Sequence, residues 1–335
     1  MKKLLLIYCI LVLMIAVFLE SCSTIDYMSI KNGPAYGRSN HADAISLLTY
    51  NIKAIYDKEE GQVDSLMQYI NKSTFDFVLF QELFDESTRD EIIDKTDTSF
   101  YKTIISRVDY NSFPELIFQD AGLYLMAHYP RVDLSDINFA DDIKNSNGII
   151  HKILDKEMSK TNDFLANKSV MGSLFNLGDS TFLFLFNTHV QAIGRREHKL
   201  FQIQQIYSFI QNSVAAVIKK AVAGSPLNMI VILAGDFNNN AYSHETYSIL
   251  LETLGNPRDL HMEHNGNKEE YTFRFGSGRG SRRFDYIFSY DKISNYNFKK
   301  VSVDYINTKD IKDAQNRSIS DHSALKTQLN FDRKD

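Results

Sequence analysis

The chain has 335 residues, of which 44% are hydrophobic, with 37 lysine and arginine residues against 42 aspartate and glutamate residues. The hydrophobic share argues against a disordered chain, and the formal net charge of -5 argues against nucleic-acid binding through a broad basic face. Of the two cysteines, Cys9 lies in a segment that we expect to be removed, so Cys22 is left without a disulfide partner.

The first 21 residues have the features of a secretory signal. Two lysines precede an apolar run over 4–19, which is shorter than the ~20 residues of a membrane-spanning helix. Leu19 and Ser21, directly before Cys22, resemble a bacterial lipobox. The resemblance implies a signal peptide over 1–21, a lipidated Cys22 and an exported lipoprotein, anchored to the bacterial membrane and facing outside the cytoplasm. The alternative is an ordinary signal followed by an unrelated cysteine.

Residues 22–44 are mostly polar and indicate a tether before a domain over 45–332. Within the domain, alternating or continuous apolar runs predict strands, and apolar residues at helical spacing predict helices. In chain order we predict a strand over 45–52, a helix over 61–71, a strand over 75–82, a helix around Ile92 and Ile93, and strands over 101–108, 120–127 and 181–189. A helix over 196–220, a strand over 229–238, a helix over 247–254 and strands over 271–273 and 284–288 follow. Residues 301–303 precede a polar loop, and a last strand begins within 320–325.

Residues 131–168 are polar and lack a clear period, so we interpret them as a long surface insertion. Phe139, Ile149 and Ile150 within the insertion are candidates for membrane contact, and local packing of the loop is the alternative. No repeat, low-complexity tract or Pro-rich linker divides the chain after residue 44. The pattern therefore predicts one α/β domain with two packed sheets and helices outside them.

Polar side chains recur where the predicted apolar strands stop. They are Asn51, Glu82, His189, Asp236, Asn238, Asp285, Asp321 and His322. A turn or a structural hydrogen bond explains any one of them, but so many in one pattern indicate a site. Carboxylates with amides suit a hard cation such as Mg²⁺, and the sequence has no zinc-hydrolase motif and no glycine-rich phosphate loop.

Six motifs, in this order, resemble those of the endonuclease/exonuclease/phosphatase superfamily, which has the DNase I-like fold. They are Thr49-Tyr50-Asn51-Ile52, Phe80-Gln81-Glu82, Asn187-Thr188-His189, Gly235-Asp236-Phe237-Asn238, Arg283-Phe284-Asp285-Tyr286-Ile287 and Ser320-Asp321-His322. The resemblance covers residues 45–330. It implies an α/β fold built as a four-layer sandwich, with two packed, mainly antiparallel sheets flanked by helices, and it implies hydrolysis of phosphate esters with Mg²⁺.

The resemblance also implies the metal ligands. Glu82 would be the principal Mg²⁺ ligand, with Asn51 near the metal and Asp321 either bracing the site or contacting the metal. In one branch of the superfamily, the bacterial neutral sphingomyelinases, a phenylalanine main-chain oxygen binds a second metal at the edge of the site. That residue would be Phe84 here, with Asp120 as the carboxylate ligand. We therefore expect one Mg²⁺ ion and leave the second, edge ion open.

The catalytic roles implied by the resemblance fall on five residues. His322 would be the general base, since imidazole titrates near neutral pH, and Asp285 would hold its tautomer. Asp236 and Asn238 would orient the attacking water and the phosphoryl oxygens. His189 would bind the phosphate or assist the leaving group, so Asn238 and His189 are also substrate-binding residues.

The resemblance to neutral sphingomyelinases, which cleave sphingomyelin to ceramide and phosphocholine, depends on three segments. They are Gln81-Glu82-Leu83-Phe84-Asp85, Thr188-His189-Val190-Gln191-Ala192 and Gln119-Asp120-Ala121-Gly122. That branch often has an aromatic hairpin for membrane entry, whereas residues 305–319 are mostly polar here. The glycine- and arginine-rich run over 276–283 indicates a basic loop, in which Arg279 would bind an anionic group of the substrate; a solvated hairpin is the alternative.

Three functions follow from these observations. The first is a Mg²⁺-dependent phosphodiesterase acting on a phospholipid head group at a membrane surface, with sphingomyelin as the expected substrate, working as a monomer without a protein partner. The second is an exported endonuclease, or a phosphoinositide phosphatase, on the same fold. The third is a binding module that has lost catalysis, although the metal and base residues are all present.

Overall fold

A computed structural model describes residues 23–29, 43–55, 58–59, 61–111, 120–157, 162–221, 228–266, 268–274 and 280–331. The predicted signal over 1–21, the lipidation site at Cys22 and the substrate-binding Arg279 lie outside the described residues. Within these ranges, no helix combines the length and the hydropathy that a membrane span requires.

The described part of the chain contains both helices and strands, and strands predominate. The helices are α1 (Gln62–Ser73), α2 (Glu86–Lys95), α3 (Arg196–Ala221), α4 (His244–Thr253) and α5 (Leu260–Asn265), with a 3-10 turn at Asn162–Leu165. The strands are β1 (Ser23–Ser29), β2 (Ala44–Ala54), β3 (Phe77–Leu83), β4 (Thr103–Asn111), β5 (Tyr124–Ala127), β6 (Lys144–Ser146), β7 (Ile149–Ile153), β8 (Ser169–Gly178), β9 (Thr181–His189), β10 (Asn228–Asp236), β11 (Arg258–Asp259), β12 (Phe273–Arg274), β13 (Ser281–Arg282), β14 (Asp285–Tyr290), β15 (Lys292–Ile293), β16 (Tyr296–Asn297), β17 (Ser302–Lys309) and β18 (Ala324–Asn330).

Two seven-stranded sheets form the centre of the fold. Their strand orders are β1-β4-β5-β3-β2-β18-β17 and β11-β14-β10-β9-β8-β7-β6. Within them, β2 and β3 pair in parallel, as do β9 and β10, while the other pairs are antiparallel. Each sheet therefore has one parallel pair at its centre, and the ends of these two pairs position the polar residues described below.

Alternating side chains of the central strands place buried residues on both faces of each sheet. Leu47 of β2 packs between the sheets with Leu185 and Ile232, whereas the next residue, Leu48, packs on the opposite face against helix residues such as Leu66. The outer face of the second sheet is covered mainly by α3, whose apolar stripe includes Ile206. Helix, sheet, sheet and helix thus form four layers, and the predicted fold class is confirmed.

The prediction of a loose surface insertion over 131–168 is wrong for part of that range. β6 and β7 extend the second sheet, and Ile149 and Ile150 are fully buried, one between the sheets and one under the helical layer. Phe139 packs against the second of these clusters. The strands are too short to show a period in the sequence, and the two isoleucines serve packing rather than membrane contact.

The tether predicted over 22–44 includes a paired segment. β1 lies antiparallel to β4, with Ser29 opposite Thr103 and Ser23 opposite Asn111. The pairing covers the backbone groups of an otherwise open sheet edge, which is a common way for a protein to protect such an edge.

Candidate active site

The sheet topology gathers the predicted polar residues at one edge of the sandwich. Asp236, at the end of β10, lies opposite His189 on β9 and opposite Asp285 at the start of β14. In the other sheet, Asn51 and Glu82 lie on the adjacent parallel strands β2 and β3. Since the carboxyl ends of parallel strands meet at the same edge, residues far apart in the sequence converge there.

Asn51 links the two sheets at this edge. Its Nδ2 donates to Glu82 Oε1 and to Asp236 Oδ2, both at 2.9 Å, and its Oδ1 accepts from the Lys53 backbone N–H at 3.1 Å. Asn51 and Asp236 are fully buried. In this orientation the amide nitrogen of Asn51 holds the two carboxylates together. Asn51, which we expected near the metal, would present its amide oxygen to an ion only if the amide rotated.

Glu82, His189 and Asp236 form a group whose ligand atoms lie within 4.8 Å of one another. His189 Nε2 lies 3.5 Å from Glu82 Oε1 and 3.9 Å from Asp236 Oδ2. Two carboxylates are the hard oxygen donors that Mg²⁺ prefers, so the residues present fit Mg²⁺ with Glu82 as one ligand and Asp236, which we expected to orient the attacking water, as the other. Glu82 also has a φ of 55°, a left-handed conformation that is uncommon for a non-glycine residue.

His322 and Asp285 form a second pair beside the carboxylates. His322 Nδ1 lies 2.9 Å from Asp285 Oδ2, and its Nε2 lies 3.6 Å from Asp236 Oδ2. The imidazole position is supported from the backbone, because the His322 N–H donates to Ser320 Oγ, which in turn donates to the Asn51 carbonyl at 2.8 Å. A carboxylate at Nδ1 assigns the proton to that nitrogen and leaves Nε2 as the acceptor that faces Asp236.

Burial and charge shift the titration of this cluster in opposite directions. Burial lowers the pKa of His322, but the negative charges of Asp285 and Asp236 outweigh it and raise the pKa to about 9. Burial, with the charge of Asp285, raises the pKa of Asp236 to about 7. Burial holds the pKa of His189 well below its ordinary value. Without a metal, His322 is therefore positively charged at neutral pH, and a divalent cation beside Asp236 would favour its neutral form.

The metal-free protein is expected to lose stability as pH rises. The folded pKa of His322 is raised from 6.5 to about 9, so its contribution is full below pH 6.5 and is lost as pH rises through about 9. The raised pKa of Asp236 acts in the same direction, and its contribution to stability is lost as pH rises through about 7. Urea unfolding in EDTA at several pH values should give a free-energy difference between wild type and His322→Gln that shrinks from pH 6 to 9, on the order of 3 kcal/mol. A difference that grows over this interval would contradict the assignment.

Asn238 lies after the chain turns away from β10. Its φ is 47°, and its N–H donates to Asp236 Oδ1 at 2.8 Å. Its Nδ2 donates to the Val190 carbonyl at 2.9 Å and lies 3.4 Å from His189 Nε2. The amide therefore fixes the segment that carries His189, and both residues line the same side of the cluster.

Asp321, for which we left two roles open, contacts a lysine that received no role in the sequence analysis. Its Oδ2 lies 2.5 Å from Lys53 Nζ, and the two side chains are 30% and 47% exposed. This contact matches the bracing role. The only signal for Lys53 in the sequence is its position two residues after Asn51.

Asp120 is already paired with cationic side chains of the protein. Its Oδ2 lies 2.8 Å from Arg89 Nη2 and 3.7 Å from Arg107 Nε, and its Oδ1 accepts from the Gly122 N–H at 2.6 Å. Arg89 also donates to the Leu83 carbonyl at 2.5 Å, directly before Phe84. A metal held by Asp120 and Phe84 stays a prediction, and the ion would have to compete with the Arg89 guanidinium.

Two further buried polar pairs involve residues close to Glu82 and Asp285 in the sequence. Gln81 Nε2 donates to Asn187 Oδ1 at 2.8 Å, which joins β3 to β9 across the sandwich. Arg283 is fully buried, with Nη2 2.6 Å from Asp259 Oδ2 and its guanidinium 4.4 Å from the Tyr286 ring centroid. These residues lie inside or beside the sequence motifs, but their partners could not be read from the sequence.

Comparisons with solved structures identify similar folds. Neither the scan against protein-family models nor the search of curated proteins gives a match. A variant of beta toxin from Staphylococcus aureus, with bound magnesium ions, matches with a TM-score of 0.55 and 19% identity over 84% of this chain and 98% of that one. D. rerio TDP2, complexed with a single-strand DNA product, matches at 0.54 and 16% over 86% of this chain and 100% of that one. SmcL matches at 0.54 and 17% over 86% and 99%.

The comparison confirms the DNase I-like fold that the six motifs predict. The similarity extends over most of each chain. At these identities the likeness establishes the fold, whereas the chemistry has to be argued from the site itself.

Proposed function

We propose that this chain is a Mg²⁺-dependent phosphodiesterase that hydrolyses a phospholipid head group, with sphingomyelin as the substrate favoured by the motifs. The observation that carries the proposal is the juxtaposition of two elements. The Asn51-linked carboxylates Glu82 and Asp236 lie directly beside the His322–Asp285 pair. A cation site adjoining an oriented imidazole is the arrangement that hydrolysis of a phosphate ester requires.

The residues of the cluster divide the work of the reaction. A bound Mg²⁺, held by Glu82 and Asp236, would supply positive charge to the phosphoryl oxygens. His322 Nε2 takes the proton from the attacking water, and Asp285 stabilises the resulting imidazolium through Nδ1–H. Since the charge of Asp236 contributes to the high pKa of His322, a cation at Asp236 favours the neutral imidazole that the base requires.

His189 and Asn238 border the phosphate position on the other side. The low pKa of His189 keeps its imidazole neutral, so it can donate a hydrogen bond to a phosphoryl oxygen or the leaving group without carrying a charge. Asn238 keeps the His189 segment in place through Val190.

Sphingomyelin is proposed from the sequence segments that resemble neutral sphingomyelinases and from the lipobox-like Cys22, which would tether an exported monomer at a membrane surface. Magnesium bound to beta toxin is consistent with this chemistry. The competing substrate is nucleic acid, which is favoured by the TDP2 complex with a single-strand DNA product. A phosphoinositide phosphatase is the third candidate.

A substrate panel tests the proposal. Purified protein with Mg²⁺ is expected to release phosphocholine from sphingomyelin vesicles, and EDTA is expected to abolish the release. Plasmid nicking in place of phosphocholine release would favour the nuclease, and release of inorganic phosphate from phosphoinositides would favour the phosphatase. If no substrate is cleaved and calorimetry detects no Mg²⁺ binding, the chain is a binding module and the proposal is wrong.

A further inference from the structure

A cavity of about 480 Å³ adjoins the catalytic cluster. It lies between α3, the loop after β10, the start of α4 and β13, and its volume is in the range of small-molecule sites. Asn238 lines the cavity and also contacts Asp236 and His189, so the cavity opens beside the position assigned to the phosphate. A substituent of the substrate can therefore occupy it while the phosphodiester is in the site.

The cavity wall is cationic. Arg196, Lys199 and Arg282 line it, whereas no aspartate or glutamate is among the described lining residues. Lys199 Nζ donates to the Ala192 carbonyl, and within the described part of the chain it has no carboxylate within salt-bridge distance. Arg196 pairs with Glu245 at 2.7 Å, but both side chains are exposed and such a pair contributes little.

The remaining lining residues make this a defined pocket rather than a strip of surface charge. Phe237 and Ile203 are buried and form an apolar part of the cavity wall. Burial lowers the pKa of the Lys199 ammonium, and the charges of Asp163 and Asp236 compensate only in part. An anion bound beside Lys199 would therefore stabilise the charged ammonium. A partly open cavity of this size has room for one substituted ring, whereas a nucleic-acid strand needs a continuous basic groove.

We propose that this cavity binds a second anionic group, such as a phosphate on the ring of a lipid head group, while the scissile phosphodiester lies at Glu82, Asp236 and His322. This rests on the proposed phosphodiesterase function and narrows its substrate class. A choline ammonium gains nothing from a cationic pocket, so acidic head groups become better substrates than zwitterionic ones, in contrast to the preference for sphingomyelin that the motifs favour.

Two lipids that differ by one phosphate provide the test. Vesicles of phosphatidylcholine with phosphatidylinositol, or with phosphatidylinositol 4-phosphate, are incubated with enzyme and Mg²⁺, and released inositol phosphates are measured. We expect kcat/KM to be at least about tenfold higher for the 4-phosphate, and this ratio to fall about tenfold in Lys199→Gln and in Arg196→Gln. Lys220→Gln, exposed at the far end of α3, is the matched control and should keep the ratio.

Three outcomes separate the proposal from its alternatives. A ratio near one in the wild type, or a ratio unchanged in both pocket variants, would overturn it. Competition by a single-stranded oligonucleotide that weakens in the same variants would assign the cavity to nucleic acid instead. Inhibition of bis(p-nitrophenyl) phosphate hydrolysis by inositol 1,4-bisphosphate shows whether the free head group binds the cavity or whether binding needs the vesicle. Either source of the anion supports the pocket if Lys199→Gln and Arg196→Gln weaken its binding.

Failure of the proposed function is distinguishable from failure of the pocket. If the wild type hydrolyses none of these diesters, the phosphodiesterase proposal is wrong, and calorimetry with inositol 1,4-bisphosphate then tests the cavity by itself. Binding that weakens at least about tenfold in Lys199→Gln, but not in Lys220→Gln, would retain the anion site. Equal binding in all three proteins would remove it. Thermal unfolding of each variant checks that it is folded.

Discussion

Replacing His322 by glutamine is expected to lower kcat by ~10²- to 10⁴-fold, because the variant loses the proposed general base. Among the described residues, His322 alone has one ring nitrogen that faces Asp236 and the other held by a carboxylate. Glutamine keeps much of the volume of the imidazole but cannot accept a proton near neutral pH. Steady-state kinetics on bis(p-nitrophenyl) phosphate with saturating Mg²⁺ measure the effect.

Two further variants show whether the loss belongs to the base. Asp285→Asn retains the imidazole but no longer stabilises the charged form, so its kcat is expected to fall between those of wild type and His322→Gln. His264→Gln changes an exposed histidine of α5 outside the cluster and should leave kcat within about twofold. A His322→Gln enzyme that keeps wild-type kcat, with Mg²⁺ bound, would exclude His322 as the base.

Replacing Glu82 by glutamine is expected to weaken Mg²⁺ binding by about 100-fold or more and to abolish activity at millimolar Mg²⁺. The change removes one of the two carboxylates that Asn51 holds together, and an amide oxygen is a weaker ligand for a hard cation. Calorimetric titration with MgCl₂ measures the affinity and the stoichiometry, which we expect to be about one ion per chain because Arg89 already pairs with Asp120.

Asp120→Asn is the discriminating variant for this metal prediction. It removes the charge of the carboxylate predicted to bind the second, edge ion, and we expect the Mg²⁺ stoichiometry to stay at about one. Loss of Mg²⁺ affinity in Asp120→Asn comparable to that in Glu82→Gln, or two ions bound in the wild type, would mean that a metal displaces the Arg89 guanidinium. The variant is also expected to be less stable, because it weakens the ion pair of the buried Arg89.

The helices and strands were predictable where their apolar periodicity is long. The strand predicted over 181–189 is Thr181–His189 in the structure, and the helix predicted over 196–220 is Arg196–Ala221. The strand predicted over 120–127 begins later, at Tyr124. Gly122 has a φ of 60°, and a Cβ there would lie 2.6 Å from the Phe84 ring, so the chain turns before the strand begins.

Short or atypical segments were not predictable in the same way. β8, which spans ten residues in the second sheet, has no counterpart among the predicted elements, and the three-residue β6 is shorter than any period can reveal. Both become strands because neighbouring strands supply hydrogen bonds, and β8 also buries residues such as Leu174 in the cluster that includes the α3 side chains. Tertiary packing overrides local pattern in these places.

In the candidate site, too, the residue types were predictable from the sequence, whereas the contacts between them were not. Carboxylates, amides and imidazoles at strand ends already indicate a hard cation and a base, since carboxylate and amide oxygens suit Mg²⁺ and imidazole titrates near neutral pH. The sequence by itself thus determined the fold class and the chemical character of the site. Only the tertiary structure decided that Asn51 bridges Glu82 and Asp236, that Arg89 occupies Asp120, and that a basic cavity opens beside Asn238. Such contacts join residues up to 185 positions apart, and they depend on strand pairing and side-chain packing that local periodicity does not encode.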